Sequence, residues 1–176
     1  NLEKAINGAK AIGVKSETNA DDVLDKDKAR DNDLLGEILA RLNTKKKDVK
    51  ENPETPKLAE GEETADQIAD LPVDDFLKKW FNHHLKEAGH PDELKNFEDD
   101  VKDSEKYTVL LNQLDPNQCD KSALDETDPL ARAQKVLDNA KKLGCETEVT
   151  PEDLASGNEA MNRLFTSDLY NALANN

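Results

Sequence analysis

The chain has 176 residues, with 24 basic against 39 acidic side chains and a formal net charge of −15. Residues 1–70 hold 12 basic and 17 acidic groups (−5) and residues 71–176 hold 12 and 22 (−10), so both halves repel phosphate backbones and anionic membrane surfaces, which excludes nucleic-acid and membrane partners. Hydrophobic residues make up 35%, no apolar run approaches the roughly 18 residues of a bilayer span, and Asn1-Leu2-Glu3-Lys4 does not start a signal peptide; with only Cys119 and Cys145, too few for a disulfide framework, a soluble, cytoplasmic protein with reduced thiols is expected.

In chain order, Ala5, Ile6, Ala9, Ile12 and Gly13 come first, then Val23, Leu34, Ile38, Leu39 and Leu42. An ungapped offset of 131 residues lays these on Val136, Leu137, Ala140, Leu143 and Gly144, and on Leu154, Phe165, Leu169, Tyr170 and Leu173. That is an internal repeat. Only the back half of the repeating unit occurs twice, so residues 1–43 read as a truncated helical remnant. Residues 44–70 hold Lys45-Lys46-Lys47, Pro53, Pro56, Gly61 and Glu62-Glu63, and predict a solvated linker with one helical turn around Thr64 to Leu71.

All seven aromatic residues lie after residue 75, and residues 71–176 read as one helical domain. Val73, Phe76, Leu77, Trp80, Phe81, His84, Leu85 and Ala88 form one apolar stripe that ends at Gly89. Tyr107, Leu110, Leu111 and Leu114 form a second, which stops at Asp115-Pro116. The third starts from a cap at Asp128, with Pro129 in the permitted first turn, and runs through Leu130, Ala133, Val136, Leu137, Ala140 and Leu143 to Gly144. Thr150-Pro151-Glu152-Asp153 is a helix-start signature, and Met161, Leu164, Phe165, Leu169, Ala172 and Leu173 make the last stripe. No alternating strand pattern occurs; the expected class is all-α.

The order of motifs carries more than a fold class. Trp80-Phe81-Asn82-His83-His84-Leu85, Asn96-Phe97, Asp100-Val101-Lys102-Asp103, Tyr107 to Leu114, Arg132-Ala133, Leu143-Gly144-Cys145, Val149-Thr150-Pro151 and Ser156-Gly157-Asn158 together resemble the second calponin-homology domain of the fimbrin/plastin family, most nearly its fungal members, over about residues 70–173. Ala5-Ile6-Asn7, Ala9 to Gly13, Leu24 and Leu35 are similar to the end of the preceding calponin-homology domain. The resemblance implies a calponin-homology helical fold at 71–176, binding and bundling of actin filaments, a cytoskeletal location, and neither catalysis nor cofactor.

Departures from the family pattern are mostly charged. Ser16, Glu17, Asp31, Asn32 and Asp33 stand where the family has aliphatic residues and Glu37 where it has a buried tryptophan. Lys78, Glu148 and Arg163 replace apolar residues, and Glu146 a basic one. Charge at such places removes apolar patches that a missing half-domain would expose. The pattern implies weakened actin binding, and it raises an alternative: an engineered, redesigned helical scaffold without native function.

Trp80, Phe81, His84 and Leu85 are expected in the core, since burying each large side chain is worth about 1.5–3 kcal/mol; His84 is expected to be a core histidine with a hydrogen-bonded ring nitrogen. The polar neighbours Lys78, Lys79, Asn82, His83 and Lys86 are the candidate actin contacts, because an acidic filament needs local cations on so acidic a module. Lys45-Lys46-Lys47 reads as solvated linker. His83, His84 and His90 have no cysteine near and make no metal site. Asp25, Asp27, Asp31 and Asp33 miss a calcium loop, with Arg30 at its glycine position and Gly36 at its glutamate position. There is no glycine-rich phosphate loop and no G-x-S-x-G elbow. The apolar face of the first 43 residues is expected to dock on 71–176 within a monomer rather than in a swapped dimer.

Overall fold

The computed structural model describes residues 54–173. A 3-10 turn at Thr55–Leu58 leads to α1 (Ala65–Ala69), α2 (Val73–Glu87) and α3 (Glu105–Leu114). A second 3-10 turn at Ser122–Asp125 precedes α4 (Pro129–Lys142), α5 (Pro151–Ser156) and α6 (Glu159–Leu173). No strand occurs among the described residues, and the fold is all-α. The remnant at 1–43, the Lys45-Lys46-Lys47 run and the Asp25 to Asp33 cluster lie outside the described residues.

The helix ends follow local chemistry. Asp74 and Asp75 occupy the first turn of α2, where carboxylates face the positive end of the helix dipole. The Asp128 side chain accepts a hydrogen bond from the Leu130 N–H at 3.2 Å and so caps α4. At α5 the Thr150 hydroxyl accepts from the Asp153 N–H at 3.3 Å while the Asp153 carboxylate accepts from the Thr150 N–H at 2.9 Å, a reciprocal capping box.

Helix α6 runs through the centre, and Ala160, Asn162, Arg163, Leu164, Phe165, Thr166, Leu169 and Tyr170 are all buried on it. Around it the aromatic rings meet edge to face: Phe76 on Tyr170 with centroids 5.0 Å apart, Phe81 on Tyr107 at 5.4 Å, and Tyr107 on Phe165 at 5.0 Å. The Tyr107 hydroxyl donates to the Asn162 carbonyl at 3.0 Å and lies 3.1 Å from Thr166 Oγ1, which satisfies a polar group at the heart of the core.

The irregular stretch from 88 to 104 is held by side chains in place of backbone ladders. Asn82 accepts from the Leu94 N–H at 2.6 Å and donates to the Leu94 carbonyl at 3.0 Å. Asp100 accepts from the N–H groups of Lys95 and Asn96 at 2.7 and 3.1 Å. Gly157 closes the far side: its φ is +73°, a conformation that favours glycine, and a Cβ there would press to 3.2 Å on the Glu98 carbonyl oxygen.

Four details differ from the sequence expectations. Over 54–70 the segment read as linker is packed, with Thr55, Leu58 and Ile68 at 0%, 1% and 0% exposure, because its few apolar residues fall on one side and reach the core. Leu130, placed on the third stripe, is 43% exposed; it sits in the first turn of α4, before that helix meets its neighbours. Arg163, read as a charge that serves solubility, is 7% exposed. Its Nε lies 2.9 Å from Asp74 Oδ1 and its terminal nitrogen 2.6 Å from Glu159 Oε1. His84 is in the core as expected, but its buried Nε2 makes no hydrogen bond and stands 3.7 Å from Glu54 Oε2.

Candidate functional site: the polar face of helix α2

The periodicity that buries Trp80, Phe81 and Leu85 turns Lys78, Lys79, Asn82, His83 and Lys86 away from the core. These five side chains do different things. Asn82 is half-buried and committed to Leu94, so it positions the loop after α2. Lys78 is 30% exposed with its Nζ 3.6 Å from Asp75 Oδ1. Lys79 Nζ lies 2.7 Å from Glu63 Oε2, and Lys86 Nζ 3.0 Å from Glu60 Oε1. The His83 ring is half-buried edge-on against His84, with centroids 5.3 Å apart.

Lys79, Asn82, His83 and Lys86 line one depression of about 610 Å³, which Glu60 and Leu58 also line. The structure therefore brings four of the five together, and it adds acidic neighbours that the helix pattern alone does not show. Their source is the segment before α2. A proline, a glycine and a glutamate pair in a short polar stretch are ordinary linker signals; only the isolated Leu58 and Ile68 hinted that it returns to the fold.

Electrostatics on this face are set by pairing. The hydrogen bond from Lys86, with its charge, holds the Glu60 carboxyl below the usual carboxylate range, and the hydrogen bond from Lys79 does the same for Glu63. Glu60 in turn raises the Lys86 ammonium. His84, on the other side of the helix, has its pKa lowered to about 4, first by burial and then by the neighbouring His83, against the opposing pull of Glu54.

The remaining reactive groups are structural. Burial pushes the Cys145 thiol up to about 12, and burial also raises that of Cys119, whose Sγ–H donates to the Asn139 carbonyl at 3.4 Å. Both thiols are thereby kept protonated and inert. His90 Nδ1 accepts from the Asp92 N–H at 3.2 Å, and its Nε2 lies 3.6 Å from Glu105 Oε1. Among the described residues no three His, Cys, Asp or Glu side chains are grouped to hold a metal ion, and no helix is long and apolar enough to cross a membrane. Arg132, from one of the sequence motifs, donates to the carbonyls of Asp103 and Glu126 at 2.9 and 2.8 Å and so ties two loops to α4.

The family model of the calponin homology (CH) domain matches residues 71–175. Fimbrin of Saccharomyces cerevisiae is 42% identical over 175 residues, covering 97% of this chain and 27% of that protein. Fimbrin of Schizosaccharomyces pombe is 43% identical over 176 residues, covering 97% and 28%. Among solved structures, the actin-crosslinking core of Schizosaccharomyces pombe fimbrin matches with a TM-score of 0.71 and 37% identity, over 98% of this chain and 34% of that one. The chain thus spans less than a third of the length of these curated relatives, and the similarity includes the residues before 54.

Proposed function

The chain belongs to the calponin homology (CH) domain family, and we propose that it is a non-enzymatic actin-filament-binding module which meets the filament through the polar face of α2. The observation that carries this reading is the similarity to the actin-crosslinking core of a fimbrin over 98% of the chain. Its contact residues are Lys78, Lys79, His83 and Lys86, with Asn82 holding the adjoining loop in place. The affinity is weak, because residues 71–176 carry −10 and the lysines of this face already face carboxylates of their own chain. The setting is the cytoplasmic actin cytoskeleton.

Co-sedimentation with filamentous actin at low and physiological salt tests the proposal, with a two-domain fimbrin module as positive control. The expected result is saturable pelleting that Lys79→Glu and Lys86→Glu reduce together by at least about tenfold, since each reversal places like charge against an acidic filament. No pelleting by a chain shown to be folded would leave the redesigned-scaffold reading in its place.

A further inference from the structure

Lys79 and Lys86 are held from a single turn. Glu63 reaches the first at 2.7 Å and Glu60 the second at 3.0 Å, the latter across 26 residues of sequence. The turn is constructed to present both carboxylates to α2. The Glu63 N–H donates to the Glu60 carbonyl at 3.2 Å, the Glu60 N–H donates back to the Glu63 carboxylate at 3.0 Å, and Gly61 takes the left-handed conformation with φ +63° that the reversal needs. Its flanks are fixed by Leu58 and Ile68 in the core, whereas the tip, Glu60 to Glu63, is exposed, and a Cβ on Gly61 would meet nothing within 4 Å. The tip is therefore tied to α2 by charge, with anchored ends on either side. Exposed pairs of this kind are weak and screened by salt, so a denser array of carboxylates exchanges for them readily.

We propose that the Glu60–Glu63 turn is an intramolecular acidic clasp: it occupies Lys79 and Lys86 in the free chain, competes with the acidic filament surface for them, and is displaced when the filament binds. This rests on the filament-binding reading above and adds a restraint on the same site. The partner surface it fits presents at least two carboxylates with the spacing of the Lys79 and Lys86 ammonium groups.

The test compares wild type, Glu60→Gln/Glu63→Gln, and the charge-matched control Glu62→Gln/Glu152→Gln. The amide introduced by Glu63→Gln keeps an acceptor oxygen for the Glu60 backbone N–H, so the turn is retained, and circular dichroism checks that all three proteins fold. Two quantities are read: acetylation of individual lysines by mass spectrometry, and affinity for filamentous actin at low salt. The expectation is that the clasp variant alone labels Lys79 and Lys86 faster and binds actin about two- to fivefold tighter, the range that loss of weak exposed pairs permits. Unchanged labelling, or a gain in affinity matched by the control, overturns the clasp while leaving filament binding intact. No pelleting by any of the three folded proteins overturns filament binding and the clasp with it.

Discussion

Arg163 shows what a single charge does when the fold closes over it. Its guanidinium lies between Asp74 of α2 and Glu159 one turn back on α6, in a place where an apolar side chain would need no partner. The geometry is incomplete, since Arg163 Nε and Asp74 Oδ1 make no well-aligned hydrogen bond despite their 2.9 Å approach. Asp74 and Glu159 are themselves 31% and 46% exposed, so without Arg163 neither carboxylate is left as a fully buried charge, and what is lost is mainly the packing of the buried Arg163 stem. Arg163→Ala is therefore expected to lose about 0.5–3 kcal/mol in urea unfolding, and Arg163→Leu, which refills that space, to lose less. His84 gives the second prediction at this scale. In the unfolded chain its ring takes a proton near the ordinary 6.5, and in the folded chain burial keeps it neutral down to about 4, with His83 and Lys57 adding to that effect and Glu54 and Glu87 opposing it. Between these values the unfolded state binds more protons, so the contribution is fully present above about pH 6.5 and is lost as pH falls towards 4. Denaturation measured from about pH 7 to 5 should show a slope that His84→Gln flattens, over a full range of at most about 3 kcal/mol.

Among the elements, the segment at 54–70 has the most to say, because it reads as linker and folds as part of the domain. Thr64 and Gln67 form a reciprocal capping box, with the Thr64 N–H on the Gln67 side chain at 2.9 Å and the Gln67 N–H on the Thr64 hydroxyl at 3.2 Å. That cap starts a helix of only five residues, too short to persist alone. Its stability comes from Ile68, which is fully buried. Ile68→Ala should cost about 2–5 kcal/mol and should make the chain around residues 59–70 the first site of limited proteolysis. Cleavage first elsewhere, with no loss of stability, would contradict this account of the segment.

The whole molecule reconciles a charge of −15 with a folded core by segregating the two. The seven aromatic residues are buried, each at 4% exposure or less, while acidic side chains dominate the surface, where mutual repulsion opposes association. The 19.6 kDa chain is expected to elute as a monomer in size-exclusion chromatography, because its surplus of negative charge opposes self-association. Elution at twice that mass would contradict this expectation.

Most of this architecture is determined by the sequence itself. Helix positions follow from apolar spacing and from caps such as Asp128 and Thr150, whose chemistry is local, and the family is legible in motifs such as Trp80 to Leu85 that keep both residue type and spacing. What the tertiary structure decided is which groups find each other across the chain. Arg163 and Asp74 are 89 positions apart, and nothing in either neighbourhood announces their pairing. Leu58 and Ile68 look like stray apolar residues until a core is present to receive them. The lysines of α2 read as free cations because helical periodicity shows that they face away from the core, yet it says nothing of the Glu60–Glu63 turn brought over them. Local propensity acts over a few residues, whereas charge pairing and burial are decided by distance in space, which is a property of the completed fold.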